Sequence, residues 1–263
     1  MQQVSRKKCD YTVESDGVAL MVINNPPMNT LTQDVLADIK EAVIRAGNDD
    51  SVRVVVLTGE GTAFIAGADI REFLDRNTKK SGADYLIGGQ EMTNLIENSS
   101  KPYIAAINGY CLGGGMETAL ACHIRIADEN AQIGLPEIKL GIIPGYGGTQ
   151  RTPRLISKGR AYELVLSGKF LSGREAELYG IVNRATPSGQ VVEECCILAR
   201  MIAARSRVAI KNAMRAIREG ANMQFPKALI FERELFGELC ESDDKREGIA
   251  AFLEKRDPKF TDR

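Results

Sequence analysis

The sequence predicts an α/β fold followed by an all-helical C-terminal part, and three observations carry that expectation. Short β-branched apolar runs alternate with amphipathic stretches at helical spacing through most of the chain. Beyond residue 187 only helical spacing is found. The 263 residues, 44% hydrophobic and 26% charged, have ordinary globular composition, enough for one large core with an appendage.

The strand candidates are Val18–Ile23, 52–57, Tyr103–Ile107, 123–127 and 181–183. Between the first two, Val35, Leu36, Ile39, Val43 and Ala46 share one helical face, and Thr30 with Gln33 has the look of a capping box at its start. Strands that run into Thr-Gly or Asn-Gly recur, which hints at a repeated β-turn-helix unit without detectable sequence identity. At the C-terminal end Val192, Cys195, Cys196, Ala199 and Ile202 form one apolar stripe. Ala228, Phe231, Leu235 and Leu239 form a second, and Ile249, Phe252 and Leu253 a third. Three helices bury too little surface to stand alone, so they are expected to dock on the core or on another copy. The expected division is a core over 1–190 and a helical oligomerisation region over 191–263.

Lys and Arg total 34 against 35 Asp and Glu, a net charge of −1, which offers no electrostatic footprint for nucleic acid or anionic membrane. The lone histidine, His123, and the absence of C-x-x-C pairs argue against a metal site. His123 is therefore read as structural, and Cys111 and Cys122 as space-filling. Six cysteines that include the adjacent Cys195 and Cys196 make a poor disulfide framework. With no secretory pattern in MQQVSRKKCDYTV and no apolar run near the roughly 18 residues of a membrane span, a cytoplasmic protein with reduced thiols is expected.

Gly145-Tyr146-Gly147-Gly148-Thr149-Gln150 is not a dinucleotide loop, because Gln150 stands where the third glycine is required. Neither a phosphate-binding G-x-x-x-x-G-K-[ST] loop nor a G-x-S-x-G elbow occurs. Three other segments carry chemistry. In 108–121 a strand enters Gly113-Gly114-Gly115 and leaves as an apolar helix, whose first N–H groups lack helical partners and can hold a developing oxyanion. Glu117 lies in that first turn, either as a mere complement to the helix dipole or as a working carboxylate. In 131–143 Glu137 is embedded among apolar neighbours, which is costly unless it is paired, hydrogen-bonded or protonated. It either caps a turn, pairs with Lys139 or Arg151, or joins Glu117 as an acid–base couple with split pKa values. In 61–73 the small residues Ala66, Gly67 and Ala68 allow close backbone approach, on its own a weak signal.

Taken together, AFIAGADIREF, KPYIAAINGYCLGGGMETALA, AQIGLPEIKLGIIPGYGGTQR and the C-terminal GIAAFLEKRDPKF resemble the crotonase, or enoyl-CoA hydratase/isomerase, family in the expected order along the chain. The resemblance implies a spiral of ββα units with a C-terminal helical part that builds trimers or dimers of trimers. It implies an oxyanion hole from the N–H groups of Ala68 and Gly114, with Glu117 and Glu137 as the catalytic pair, the pattern of true hydratases. Ala66, Ile70, Arg71 and Gly113 would border the coenzyme A thioester, with Phe252 and Lys255 from the C-terminal helix; Arg71 and Lys255 also fit plain solvated charges. The implied reaction is hydration of a 2-enoyl-CoA, with no metal or redox cofactor. Isomerase, hydrolase or decarboxylase chemistry on the same oxyanion hole is the nearest alternative, and a non-catalytic or RNA-binding role a remote one. Leu112, Met116, Ile142, Ile143 and Tyr146 are candidate acyl neighbours, with chain length, branching and ring content open.

Overall fold

The computed structural model describes residues 7–263 and contains two compact units, one ending at Ala199 and one spanning Arg200–Arg263. Among the described residues no helix is long and apolar enough to cross a membrane.

In the first unit the chain begins with β1 (Cys9–Val13) and β2 (Val18–Ile23), an antiparallel pair that sets Tyr11 opposite Met21. Helix α1 (Gln33–Asn48) follows, burying Val35, Leu36, Ile39, Ala42, Val43 and Ala46. Its cap is Thr32, whose side chain accepts from the Val35 N–H at 3.3 Å, two residues later than the expected Thr30. Leu31 explains the shift: its N–H and C=O are engaged by Gly67 and Asp69, so the helix cannot begin before it.

A three-fold alternation then builds two sheets. Strands β3 (Val54–Gly59), β5 (Tyr103–Ile107) and β7 (Ile124–Asp128) enter a six-stranded sheet in the order β1-β2-β3-β5-β7-β10, where β10 is Arg184–Thr186. All its pairings except β1 with β2 are parallel. Residues of β3 and β5 are buried throughout, the continuous apolar pattern of parallel strands covered on both faces. After a two- or three-residue turn, each strand is followed by a short one, β4 (Ala63–Ile65), β6 (Tyr110–Leu112) or β8 (Gln132–Gly134). These three are parallel neighbours in a second sheet, closed by antiparallel β9 (Phe170–Ser172). The helices α2 (Lys79–Glu97), α3 (Gly114–Ala121) and α4 (Gly148–Leu155) complete the three ββα turns. The spiral expected from the family resemblance is present. Helices α5 (Lys158–Ser167) and α6 (Gly173–Tyr179) flank β9.

The expected strand at 181–183 is not formed. Ile181 and Val182 are buried, but their N–H groups bond to Ala176 O as the end of α6, and the ladder with β7 begins only at Arg184. His123 Nδ1 accepts from the Tyr103 N–H at 3.0 Å, a structural role, and Cys111 and Cys122 are buried. Helix α7 (Val191–Ala203) carries the first C-terminal stripe, with Cys195, Cys196 and Ala199 buried.

The second unit contains α8 (Arg207–Gly220), α9 (Phe225–Cys240) and α10 (Asp243–Glu254). Helix α8 is one more than the three apolar stripes revealed. Buried Asn212 ties it to α9, donating to Leu235 O at 3.2 Å and to Glu238 Oε2 at 3.0 Å. Asp244 of α10 accepts from the N–H groups of Thr261 (2.7 Å) and Asp262 (3.1 Å), fastening the C-terminal tail.

Helix α3 approaches β4 so closely that a Cβ on Gly115 would lie 2.0 Å from Ile65 O. Gly115→Ala is therefore expected to cost about 1–3 kcal/mol through overpacking. Gly47, exposed in the last turn of α1 with open space around it, is the opposite case, and Gly47→Ala should stabilise by about 0.4–1 kcal/mol. Urea unfolding of the two variants checks both signs.

Candidate active site

Parallel neighbours end at the same edge of a sheet. The segments that leave β4, β6 and β8 are therefore delivered side by side: 66–69, 113–117 and 135–137. They line one cavity, which brings together Ala66, Ala68, Ile70, Gly113, Gly114, Glu117 and Glu137.

The 66–69 segment is pinned to the stretch before α1. Ala66 N–H donates to Met28 O (3.1 Å), Leu31 N–H to Gly67 O (2.9 Å), and Asp69 N–H to Leu31 O (3.0 Å). In this parallel bridge the Ala68 N–H points away from Leu31. Gly114 is the first residue of α3, where an N–H has no helical acceptor. Among the described residues neither the Ala68 nor the Gly114 N–H meets a backbone acceptor. Gly113 turns the chain between β6 and α3 with φ +52°, and its own N–H is spent on Gly134 O at the end of β8 (2.9 Å). A Cβ there would lie 2.8 Å from Glu137 Oε1, so the carboxyl sits directly over this turn.

Glu117 is only 2% exposed. Its Oε1 accepts from the N–H groups of Tyr146 and Gly148, each at 2.7 Å. Gly148 opens α4, so the carboxylate lies at the N-terminal ends of two helices, its own and α4. These favourable terms do not outweigh desolvation: burial pushes the carboxyl up to about 6 against its hydrogen bonds to Gly148 and Tyr146. Glu137, in a 3-10 turn (Pro136–Leu140), is pushed up to about 7, by burial first and by the charge of Glu117 second. Its buried Oε2 has no hydrogen-bond partner among the described residues. Neither cation considered as its partner takes it: Arg151 pairs with Glu97 at 2.7 Å, and Lys139 sits over the Phe170 ring at 4.7 Å. Two carboxyls thus share a largely apolar cavity, one with an unspent oxygen, and both are raised towards neutrality.

Arg71 stays outside this lining. Its side chain is 82% exposed and pairs with Asp69 at 2.5 Å, which holds the Asp69 carboxyl below the usual range. Phe252 and Lys255 belong to the second unit, where Phe252 is exposed and Lys255 ends α10 in a left-handed conformation. Sequence reasoning missed the two N–H donors to Glu117. Their signal was present in the rejected 145–150 run, whose glycines start α4 rather than a dinucleotide loop. It also missed Phe73 and Leu86 in the lining. Among the described residues no cluster of His, Cys, Asp and Glu could hold a metal ion.

The model of the family described as enoyl-CoA hydratase/isomerase matches residues 13–263. A probable enoyl-CoA hydratase of Bacillus subtilis is 42% identical over 244 residues, covering 92% of this chain and 95% of that protein. The short-chain-enoyl-CoA hydratase of Clostridium acetobutylicum is 39% identical over 247 residues, 93% of this chain and 94% of its own length. Among solved structures, an enoyl-CoA hydratase from Bacillus anthracis superposes with a TM-score of 0.93 at 35% identity, covering 97% of this chain and all of the other. With a family match over nearly its whole length, and with the ββα spiral that its motifs imply, the chain belongs to the crotonase, or enoyl-CoA hydratase/isomerase, family.

Proposed function

We propose that this chain is an enoyl-CoA hydratase, a hydro-lyase adding water in syn fashion across a 2-enoyl thioester of coenzyme A to give the 3-hydroxyacyl-CoA. The observation that carries the reading is the pair Glu117 and Glu137, both raised towards neutrality, in one cavity with two uncommitted N–H groups. The N–H groups of Ala68 and Gly114 would bind the thioester oxygen and stabilise the negative charge that it gains. One such donor is worth about 2.7–4 kcal/mol. Glu117, with the lower of the two pKa values, takes a proton from water as the oxygen attacks the β-carbon. Glu137, with the higher, delivers its proton to the α-carbon. Water is thus split between the two carbons, and transfer of one proton from Glu117 to Glu137 restores the starting state. Dehydration runs the same steps in reverse. These steps call on no metal or redox cofactor; coenzyme A enters as the carrier of the substrate.

Ala66, Ile70 and Gly113 border the carrier in this reading, and Arg71 offers a solvent-facing guanidinium to its phosphates. Phe252 and Lys255 would be contributed by a C-terminal helix. Phe225, Phe236, Phe252 and Leu253 are each at least 70% exposed, apolar surface that assembly into a trimer or a dimer of trimers would cover. The setting proposed is cytoplasmic fatty-acid metabolism.

Glu117→Gln and Glu137→Gln should each lower crotonyl-CoA hydration by about 10²–10⁴-fold, followed as loss of the conjugated thioester absorbance. Wild-type kcat/KM should rise with pH through about 6, as the base ionises, and fall through about 7, as the acid loses its proton. Near-normal rates in either variant, or double-bond migration in place of hydration, would contradict the reading. Light scattering should give the mass of three or six chains, and a monomer would remove the assembly proposal.

A further inference from the structure

The geometry points to Tyr146 as the residue that closes the acyl end of the cavity and restricts the enzyme to short acyl groups. The assignment rests on the acyl-CoA reading above and names its substrate class. Exposure gives the cavity a direction. Ile70 and Ile143 are 60% and 64% exposed at its opening, whereas Tyr146 is 2% exposed at its base. The cavity measures about 130 Å³, close to the roughly 150 Å³ of an apolar cavity that takes one benzene ring. Ala66, Ile70 and Gly113, which border the carrier, share this lining, so the space left beyond them takes only a short acyl group.

Tyr146 cannot turn aside to admit a longer chain. Its ring lies against Gly89 of α2 and Gly114 of α3, where a Cβ would stand 2.2 Å and 3.2 Å from ring carbons. A glycine in a helix interior costs about 1 kcal/mol relative to alanine, and at Gly89, on the buried face of α2, the packed ring is a physical reason for it to be there. The backbone is held as firmly. Tyr146 N–H donates to Glu117 Oε1 (2.7 Å), and Tyr146 O accepts from Thr93 Oγ1 (3.1 Å) and Arg151 Nη1 (2.8 Å). Gln90 Nε2 donates to the preceding carbonyl, Gly145 O, at 2.8 Å. The ring is therefore a fixed wall, one residue's backbone away from the base, and its carbon surface rather than its hydroxyl does the excluding.

The test compares 2-enoyl-CoAs of four and ten carbons. Wild-type kcat/KM should fall at least about tenfold from the shorter to the longer. Tyr146→Ala, and Tyr146→Leu should the smaller residue fail to fold, should each raise the ten-to-four ratio by at least about tenfold. Tyr146→Phe should leave it within about twofold. Calorimetric titration with butanoyl-CoA and decanoyl-CoA, which cannot be hydrated, should show the same ordering of affinities. A wild type that takes both lengths equally, or a folded Tyr146→Ala or Tyr146→Leu with an unchanged ratio, overturns the assignment. If binding selectivity shifts as described but no enoyl-CoA is hydrated, the hydration reading fails and the role of Tyr146 stands.

Discussion

The site depends on three strands of three residues each running parallel as neighbours in the second sheet. Parallel pairing places their C-terminal ends at one edge, so segments that are far apart in sequence emerge together. None of β4, β6 and β8 is long enough to persist alone. Each follows a strand anchored in the six-stranded sheet, whose β3 and β5 are buried throughout, and α3 packs against β4 and β6 and against α2 and α4. The larger sheet is in this sense the scaffold, and the smaller one aims the turns. Gly115 shows how little tolerance there is, since α3 lies against Ile65 O with no room for a methyl group.

The electrostatic consequence follows from the same convergence. Bringing Glu117 and Glu137 to one edge buries both, and desolvation then acts on each more strongly than the hydrogen bonds that favour ionisation. Glu117 has two short N–H bonds and the start of α4 to support its charge, while Glu137 has an unspent oxygen and a charged neighbour. The asymmetry pushes the two apart, Glu137 to the higher value, the order that the proposed base and acid roles call for. The 145–148 turn serves twice, since its N–H groups hold Glu117 and its one aromatic ring walls the cavity.

Much of this was legible in the sequence, for physical reasons that differ by element. The long strands β2, β3, β5 and β7 announce themselves as apolar β-branched runs, and α1 by its buried stripe. The short strands do not, because three residues carry no periodicity; the second sheet entered only through family resemblance. The apolar pair Ile181–Val182 read as strand because burial alone does not distinguish a strand from the end of a helix packed into the core. Helix α8 was hidden by its many basic residues, only Asn212 of its side chains being fully buried. At the site, Glu117 and Glu137 stood out as carboxyls in apolar surroundings and Ala68 and Gly114 lay in small-residue turns. The N–H donors of Tyr146 and Gly148 did not, because a backbone donor leaves no mark on side-chain chemistry.

Glu117 and Glu137 are expected to titrate together near neutral pH, which carboxyl-labelled glutamate NMR measures. In the wild type two carboxyl resonances should titrate in the region of pH 6–7, well above the other glutamates. In Glu137→Gln one of them should disappear while the other keeps a raised pKa, because burial rather than its neighbour is what raises Glu117. Titration of both carboxyls near the ordinary value of about 4.3 would show that burial at this cavity does not raise them.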